Sequence, residues 1–324
     1  MHFSLKRLLT ASAATALLCV ITQTQAQNWP TKTVRFIVPF TPGGANDLMA
    51  RAAAEGASKA LGQTIVVENR GGAGGSLGAD IVAKSTPDGY TFLISAAGVI
   101  SNSMIKKSLP FKDEDLVPVV MIGVAPSVIV VPKSAPYDTL RDFVDASKKG
   151  QGFNFATAGT GSTPHFVAEM LNVKYGAKLQ PVPYKSGSES TTAVLSGQVE
   201  GTSEASIIAL PHIRGDGRFK PLATTWTKRI SAYPQLSTAV EQGFADLQIA
   251  HWAGLHAPRG TPPEIMDKLA SAVDKSMHDP ANIDKLRKLG IEPVGGTRQE
   301  FAAFVDAERK RLGEVVKAAH LKEE

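Results

Sequence analysis

The sequence is poor in cysteine, and it lacks the signatures of common nucleotide-binding loops. Its one cysteine, Cys19, lies in an apolar stretch near the N-terminus, so the rest of the chain offers neither a disulfide framework nor thiol chemistry. The glycine-rich segment that begins at Gly72 has Leu77 where a dinucleotide-binding fingerprint needs its third glycine, and no glycine loop carries the lysine of a Walker motif. The sequence therefore predicts no bound nucleotide and no other cofactor.

The N-terminus carries the pattern of an export signal. Lys6 and Arg7 form a basic region, residues 8–21 are apolar, and the segment Thr24-Gln25-Ala26 ends on a small residue. Residues 1–26 are therefore predicted to be a secretory signal peptide that is cleaved after Ala26. The apolar run is too short for a membrane span. The remaining chain is expected to be exported.

The charge pattern gives no sign of a nucleic-acid partner. The formal charge is +5 at pH 7, but two of the basic residues, Lys6 and Arg7, belong to the predicted leader. The longest basic cluster, Arg309 to Arg311, follows Glu308 in a stretch with helical periodicity, which is typical of a solvated helix face. We expect no nucleic acid among the partners of this protein.

Three glycine-rich loops follow short apolar strands and lead into helical sequence: Pro39 to Asp47, Asn69 to Ser76, and Ala158 to Pro164. Each loop places glycines at a helix N-terminus, where free backbone N–H groups and the helix dipole attract an anion without a cationic side chain. In an open α/β sheet, ligands lie beyond the carboxyl ends of the strands, which is where all three loops fall. The loops therefore predict a cleft that binds an anion.

Strands and helices alternate after the leader, and the pattern restarts in mid-chain. This alternation predicts an α/β fold with mostly parallel sheets flanked by helices. Residues 116–131 are nearly continuous in apolar residues, interrupted by Gly123 and Pro126, and they predict two strands separated by a crossing point. We expect two lobes joined by two crossing strands, with residues 27–124 and 227–324 in a discontinuous first lobe and residues 125–226 in the second.

The last hundred or so residues are predicted to be mainly helical. Two segments, Thr261 to Glu264 and Thr297 to Glu300, fit the capping box that starts a helix. Residues 205–214 are predicted to form another helix, in the second lobe.

Ser162 and His165 lie three residues apart at a predicted helix start, so a secreted hydrolase is an alternative function. Catalysis would also need an orienting carboxylate and an oxyanion site. Ser162 is expected instead to contact a ligand or cap the helix, and His165 to form a polar wall of the cleft or a structural hydrogen bond. The remaining histidines lack the spacing of metal ligands, and His251 and His256 are predicted to lie on a core strand. We predict no metal site.

These loops and several further motifs resemble those of the Bug receptors, the periplasmic solute-binding proteins of tripartite tricarboxylate transporters. The resemblance runs through essentially the whole chain after the leader. The matching segments are Trp29-Pro30 with Val34 to Phe40, Pro42-Gly43-Gly44 with Asp47 and Ala50-Arg51, Glu68 to Gly75, Pro87 to Thr91, Gly159 to Ser162 with His165, Pro183 to Lys185, Ala209 to Ile213, Trp252 to Leu255, and Ala257 to Pro262. Each motif is weak alone, but their order is specific.

The resemblance implies a two-lobed periplasmic-binding-protein fold of the Venus-flytrap type that closes on a small carboxylate. It also implies a periplasmic monomer, without enzymatic activity, that delivers this ligand to membrane permease subunits. Loops of the first lobe would hold one carboxylate through backbone N–H groups, hydroxyls and ordered water. The ligand-binding residues carried over by motif are Phe40, Thr41, Gly43, Gly44 and Asp47 on one side, with Ser95 and Ala96 beneath, and Thr160, Gly161, Ser162, His165, Tyr184 and Glu204 opposite.

The sequence departs from the family pattern at four positions. Thr41 stands where the family often has proline or an apolar residue, and Gly71 where proline is common. Ser186 lengthens the usual turn after Tyr184 and Lys185, and Glu204 stands where aspartate is frequent. The last two departures lie on the specificity side, so they bear on the identity of the ligand. A receptor that feeds a sensor kinase instead of a permease is a further alternative.

Overall fold

The computed structural model describes residues 29–215 and 217–322, which form an α/β fold with a sheet of ten strands covered by helices. The predicted signal peptide lies outside the described residues. Within those ranges, no helix is both long enough and apolar enough to cross a bilayer.

The strands have these bounds: β1 (Val34–Val38), β2 (Ile65–Asn69), β3 (Thr91–Ser95), β4 (Leu116–Pro132), β5 (Phe153–Thr157), β6 (Leu179–Pro183), β7 (Gly201–Ala205), β8 (Phe219–Thr224), β9 (Ala250–Pro258) and β10 (Glu292–Gly295). The helices are α1 (Ala45–Leu61), α2 (Ser76–Ala83), α3 (Ala97–Ile105), α4 (Leu140–Ser147), α5 (Thr163–Tyr175), α6 (Gly187–Leu195), α7 (Ser206–Leu210), α8 (Pro263–Met277), α9 (Pro280–Lys288) and α10 (Arg298–Ala318). A π-helical turn, Pro211–Gly215, follows α7.

Strand β4 is the longest strand, and it joins the two halves of the sheet. Up to Pro126 it pairs with β9 and β10, and from Ser127 onward it pairs with β7 and β8. One half of the sheet therefore runs β2-β1-β3-β9-β4 and the other runs β4-β7-β5-β6. The prediction of two strands over residues 116–131 is wrong. Pro126 removes one N–H group but keeps an extended backbone, and it still lies opposite Ala250 of β9.

The sheet is mixed rather than mostly parallel. Strand β1 pairs in parallel with β2 and β3, and β5 pairs in parallel with β6 and β7. The ladders that involve β4 or β9 are all antiparallel. The chain leaves the first half of the sheet along β4 and enters it again along β9. These two strands run in opposite directions and force antiparallel pairing next to them.

Sequence reasoning missed two elements, α3 and β7. Helix α3 begins only two residues after β3 ends, so no loop separates the two patterns. Strand β7 has the sequence Gly-Thr-Ser-Glu-Ala, which is a poor strand former by composition. It forms because it lies fully buried between β4 and β5 and pairs with both. Because β7 includes Ala205, the predicted helix over residues 205–214 begins one residue later, and it consists of the short helix α7 followed by the π-helical turn.

The two predicted capping boxes have different outcomes. Thr297 caps α10: its hydroxyl accepts from the Glu300 N–H, and the Glu300 carboxylate accepts from the Thr297 N–H. The box at Thr261 is wrong, because Pro262 is the N-cap of α8 and the Thr261 hydroxyl donates instead to the Pro258 carbonyl.

Separate groups of buried apolar side chains cover the two halves of the sheet. Phe36 and Phe92 belong to a core under α1 and α8, whereas Phe143 and Phe155 belong to a core on the second half. Residues 227–249 pack on the second half, where Phe244 joins the core of Phe143. We propose that the second lobe extends to about residue 249 rather than ending at residue 226.

Helix α10 is held on β9 by close packing and by a buried carboxylate. Gly254 of β9 faces the ring of Phe301, and Trp252 packs edge-on against the same ring. The Trp252 Nε1–H group donates to Glu308 Oε1 over 3.1 Å, and the other Glu308 oxygen accepts from the Arg311 guanidinium. The first half of α10 thus packs on β9, the strand that returns the chain to the first half of the sheet.

We expect Gly254→Ala to lower the free energy of unfolding by about 1–3 kcal/mol. A Cβ at this position would lie 2.1 Å from Phe301 Cζ, and that ring is buried against Trp252 and Phe304. Urea denaturation measures the loss. Gly215→Ala is the matched control, since its Cβ would meet no atom within 4 Å. Equal unfolding free energies for the two variants would contradict this packing argument.

Candidate ligand-binding site

A cavity of about 90 Å³ lies at the carboxyl ends of β1, β3 and β5, between the two halves of the sheet. This is several times the space that one water molecule needs. We call this the inner cavity. An adjoining cavity of about 540 Å³ shares part of the wall of the inner cavity, including Phe40, Gly74 and Lys185. Four helix N-termini line the inner cavity: Gly44, Ala45 and Asn46 of α1, Ala96, Ala97 and Gly98 of α3, Ser162, Thr163 and Pro164 of α5, and Ser186, Gly187 and Ser188 of α6.

Three of these helices begin without a side-chain cap. The N-cap residues Gly44, Ala96 and Ser162 make no capping hydrogen bond to the first turn. The first N–H groups of a helix have no partner within the helix, and they carry the positive end of the helix dipole. The cavity wall can therefore donate several backbone hydrogen bonds to one anion, such as a carboxylate.

Asp47 holds the first glycine loop in place. Its carboxylate accepts hydrogen bonds from the Gly43 N–H at 2.9 Å, from Arg51 Nε at 3.0 Å and from Asn69 Nδ2 at 3.0 Å. Asn69 Nδ2 also donates to the Phe40 carbonyl. Burial raises the pKa of Asp47, but the hydrogen bonds from Arg51, Gly43 and Asn69 outweigh burial and hold this pKa below its ordinary value. Asp47 thus stays ionised and shapes the loop.

Glu204 and His251 line the deep wall of the cavity. Glu204 is only 4% exposed. Its Oε1 accepts from the Ala205 N–H at 2.8 Å, while Oε2 has no hydrogen-bond partner. Burial raises the pKa of Glu204 to about 7, against the lowering effect of the Ala205 hydrogen bond. Burial lowers the pKa of His251 to about 4, so its ring is neutral at pH 7, and its Nε2 has no partner either.

The side chains of Ser162 and His165 are both engaged in the turn before α5. The Ser162 hydroxyl donates to the Gly159 carbonyl at 2.6 Å, and His165 Nδ1 accepts from the Gly161 N–H at 2.9 Å. This geometry does not present a nucleophile to a base. The segment from Gly74 to Gly78 has the G-x-S-x-G spacing of hydrolases, which sequence reasoning overlooked. Its serine, Ser76, is buried and donates to the Ala73 carbonyl.

Comparison with known proteins identifies the family. A family model described as the tripartite tricarboxylate transporter family receptor matches residues 49–321. The chain belongs to this receptor family. Protein BugT of Bordetella pertussis is 34% identical over 296 residues, which is 90% of each chain. The structure of R. palustris Rpa4515 with adipate has a TM-score of 0.86 at 32% identity and covers 91% of this chain and 99% of that one. MatC from Rhodopseudomonas palustris with bound malate has a TM-score of 0.81 at 30% identity, over 89% of this chain and 100% of that one.

In this member of the receptor family, seven of the residues predicted to bind the ligand line the inner cavity: Phe40, Thr41, Gly44, Ala96, Thr160, Ser162 and Glu204. Tyr184 lines the adjoining cavity. Gly43, Asp47, Gly161 and His165 lie in the turns just behind the wall. Ser95 faces away from the cavity, because its hydroxyl bonds to His256 Nδ1 at 2.7 Å and donates to the Gly254 carbonyl. Whether each residue contacts a ligand stays a prediction.

The receptor has wall residues that sequence reasoning did not assign. The starts of α3 and α6 contribute Ala97, Gly98, Gly187 and Ser188, and α3 itself was not predicted. A capping serine was available as a signal for α6, since Ser186 accepts from the Glu189 N–H. His251 was placed correctly on a core strand, but no local pattern indicated that this strand reaches the cavity.

Asp47→Asn is expected to lower the free energy of unfolding by about 1–3 kcal/mol at pH 7, because a buried acceptor of three hydrogen bonds loses its charge. The pKa of Asp47 is lowered in the folded state. Its contribution is therefore fully present above about pH 4 and is lost as the pH falls through the lowered pKa. Urea denaturation at pH 7 and at pH 3 measures this difference.

The matched control for Asp47→Asn is Asp284→Asn, since Asp284 and Lys288 form a similar i,i+4 pair that is exposed on both sides. We expect this control to change stability by less than about 0.5 kcal/mol. If both variants lose the same small amount, Asp47 does not hold the loop.

Glu204→Gln is expected to stabilise the ligand-free receptor at pH 8 but not at pH 4.5. The folded-state pKa of Glu204, about 7, lies above the ordinary value of 4.5. Ionisation therefore costs stability, starting as the pH rises past 4.5 and reaching its full value above 7. The full cost is on the order of 3 kcal/mol. Urea denaturation across this range, with the exposed Glu264→Gln as control, measures it. A constant difference between wild type and Glu204→Gln would refute the raised pKa.

Proposed function

We propose that this chain is an extracytoplasmic receptor that binds a small organic acid between its two lobes and delivers it to the membrane permease of a tripartite tricarboxylate transporter. The observation that carries the proposal is the meeting of four helix N-termini at one cavity. Three of those helices begin without a side-chain cap. A carboxylate is the common metabolite group that such an array of N–H donors suits.

The proposed carboxylate site consists of the helix starts at Gly44, Ala96 and Ser162. The side chains of Phe40, Thr41 and Thr160 border the same cavity. Gly43, Asp47, Gly161 and His165 hold the loops that carry this wall. Two of the similar solved structures support the assignment, since one is described with adipate and the other with bound malate.

The proposal includes closure of the two lobes around the ligand. The Ser101 hydroxyl of α3 donates to the Gly161 carbonyl at 3.2 Å, and this bond joins the first half of the fold to the loop before α5. A Cβ added at Gly98 would lie 3.7 Å from the same carbonyl. These contacts lie beside the inner cavity, which Gly98 lines, and binding energy can be used to draw the lobes together.

Export to the periplasm and action as a monomer that lacks enzymatic activity are parts of the same proposal. The predicted leader over residues 1–26 and membership of the receptor family support them. The engaged hydroxyl of Ser162 and imidazole of His165 favour a receptor over a hydrolase. Association with permease subunits is the expected route of delivery.

Thermal unfolding in the presence of a panel of organic acids, amino acids, neutral sugars and nucleotides tests the proposal. We expect one group of carboxylates to raise Tm, because a ligand at a hundred times its Kd adds about 2.7 kcal/mol to stability. Stabilisation by a neutral sugar or a nucleotide alone, or turnover of a bound acid, would overturn the assignment.

A pair of glycine variants locates the binding site. A Cβ at Gly187 would lie 2.3 Å from Glu204 Oε2, so Gly187→Ala is expected to weaken binding of the stabilising acid by tenfold or more. Gly215→Ala, whose Cβ would meet nothing within 4 Å, should bind as wild type does. Isothermal titration calorimetry gives both values, and equal affinities would place the ligand elsewhere.

A further inference from the structure

Two buried side-chain atoms of the cavity wall lack a hydrogen-bond partner. They are Glu204 Oε2 and His251 Nε2, and both residues line the inner cavity. Buried polar atoms are nearly always paired, because an unpaired one loses its hydrogen bonds to water without replacement. Two such atoms at one wall indicate the position of a ligand group.

Glu204 and His251 lie on two strands that both pair with β4, and they line one small cavity. Strand β4 runs between β7 and β9, and it pairs Val128 with Glu204 on one side and Ala125 with His251 on the other. Both side chains line the same cavity of about 90 Å³. The two side chains therefore form one patch of the wall.

Both unpaired atoms can accept a hydrogen bond. Burial lowers the pKa of His251 to about 4, so the ring is neutral at pH 7. A neutral imidazole has one N–H group, and Nε2 has a lone pair when Nδ1 carries that hydrogen. The Glu204 carboxylate uses Oε1 for the Ala205 N–H, and above its pKa of about 7 its ionised Oε2 can only accept.

The opposite walls of the cavity have the reverse character, since they present backbone N–H donors at the starts of α1, α3 and α5. The only cationic side chain among the described wall residues is Lys185, which is exposed. A second carboxylate at the Glu204 patch would face two acceptors and a negative charge. A group with N–H bonds would satisfy both acceptors and, if cationic, would pair with Glu204.

Building on the proposed function, we propose that the ligand of this receptor is a carboxylate whose other end carries a nitrogen donor group, an ammonium or a primary amide, held by Glu204 and His251. The helix starts bind the carboxylate, and the acceptor patch selects the far end. This selectivity distinguishes nitrogen-bearing acids from the dicarboxylates of equal length.

Isothermal titration calorimetry at pH 8 with matched ligand pairs tests the proposal. The pairs are ω-amino acids and the monoamides of dicarboxylic acids, each compared with the dicarboxylate of the same chain length from malonate to adipate. We expect the best nitrogen-bearing acid to bind at least tenfold more tightly than its dicarboxylate partner.

Variants assign the preference to the patch. Glu204→Gln is expected to reduce the preference for the nitrogen-bearing acid at least tenfold, and His251→Phe should reduce it in the same direction while keeping an aromatic ring. Glu264→Gln, on the exposed first turn of α8, should leave the preference unchanged. His251→Phe keeps the test available if Glu204→Gln does not fold.

The outcomes separate this inference from the proposed function. Tighter binding of dicarboxylates by the wild type, or an unchanged preference in both patch variants, overturns the inference and leaves a carboxylate receptor. Failure of every acid in both series to bind overturns the inference together with the proposed function. Binding of the nitrogen-bearing acids with a preference that Glu204→Gln removes supports both.

Discussion

The fold depends on the pairing of one uninterrupted strand. Strand β4 pairs with β9 and β10 through its first half and with β7 and β8 through its second half. Both lobes therefore share one hydrogen-bonded element, and the register of that element determines which residues of β7 and β9 reach the cleft. A shift of one residue in either ladder would turn Glu204 or His251 to the other face of the sheet.

The helix starts around the cavity also follow from the strands. Loops that leave the carboxyl ends of β1, β3 and β5 meet at one edge of the sheet, and each leads into a helix. Glycine permits the turns that ordinary side chains resist: Gly43, Gly159 and Gly161 have φ values of 79°, 97° and 78°. Asp47 then stabilises the first of these loops from behind, with a carboxylate that is itself buried. The donors of the cavity are thus backbone groups whose positions depend on side chains outside it.

Sequence reasoning captured the parts of this site that local chemistry encodes. The glycine loops at residues 39–47 and 158–164 predicted two of the four helix starts, and the alternation of strands and helices predicted an α/β fold. The start of α3 was missed as a helix, because Ala96, Ala97 and Gly98 carry no capping side chain or turn signal. The strand that holds Glu204 was missed as well, since Gly201 to Ala205 become a strand only through pairing with two neighbours. His251 lines the cavity because β9 pairs with β4, which is more than a hundred residues away in the sequence. The local sequence does not indicate such a contact.

The helix starts and the patch of Glu204 and His251 have different roles in ligand binding. Helix starts accept any carboxylate, so they contribute affinity but little discrimination among acids. Discrimination comes from buried acceptors that a wrong ligand leaves unpaired, at a cost of about 1–3 kcal/mol for each atom. That cost corresponds to a factor of roughly 5 to 150 in affinity. Glu204 makes the ligand-free receptor less stable when it ionises, because its buried charge has no cationic partner among the described residues. A ligand that brings N–H groups to Glu204 removes this cost on binding, so the same carboxylate that weakens the empty fold strengthens the occupied one.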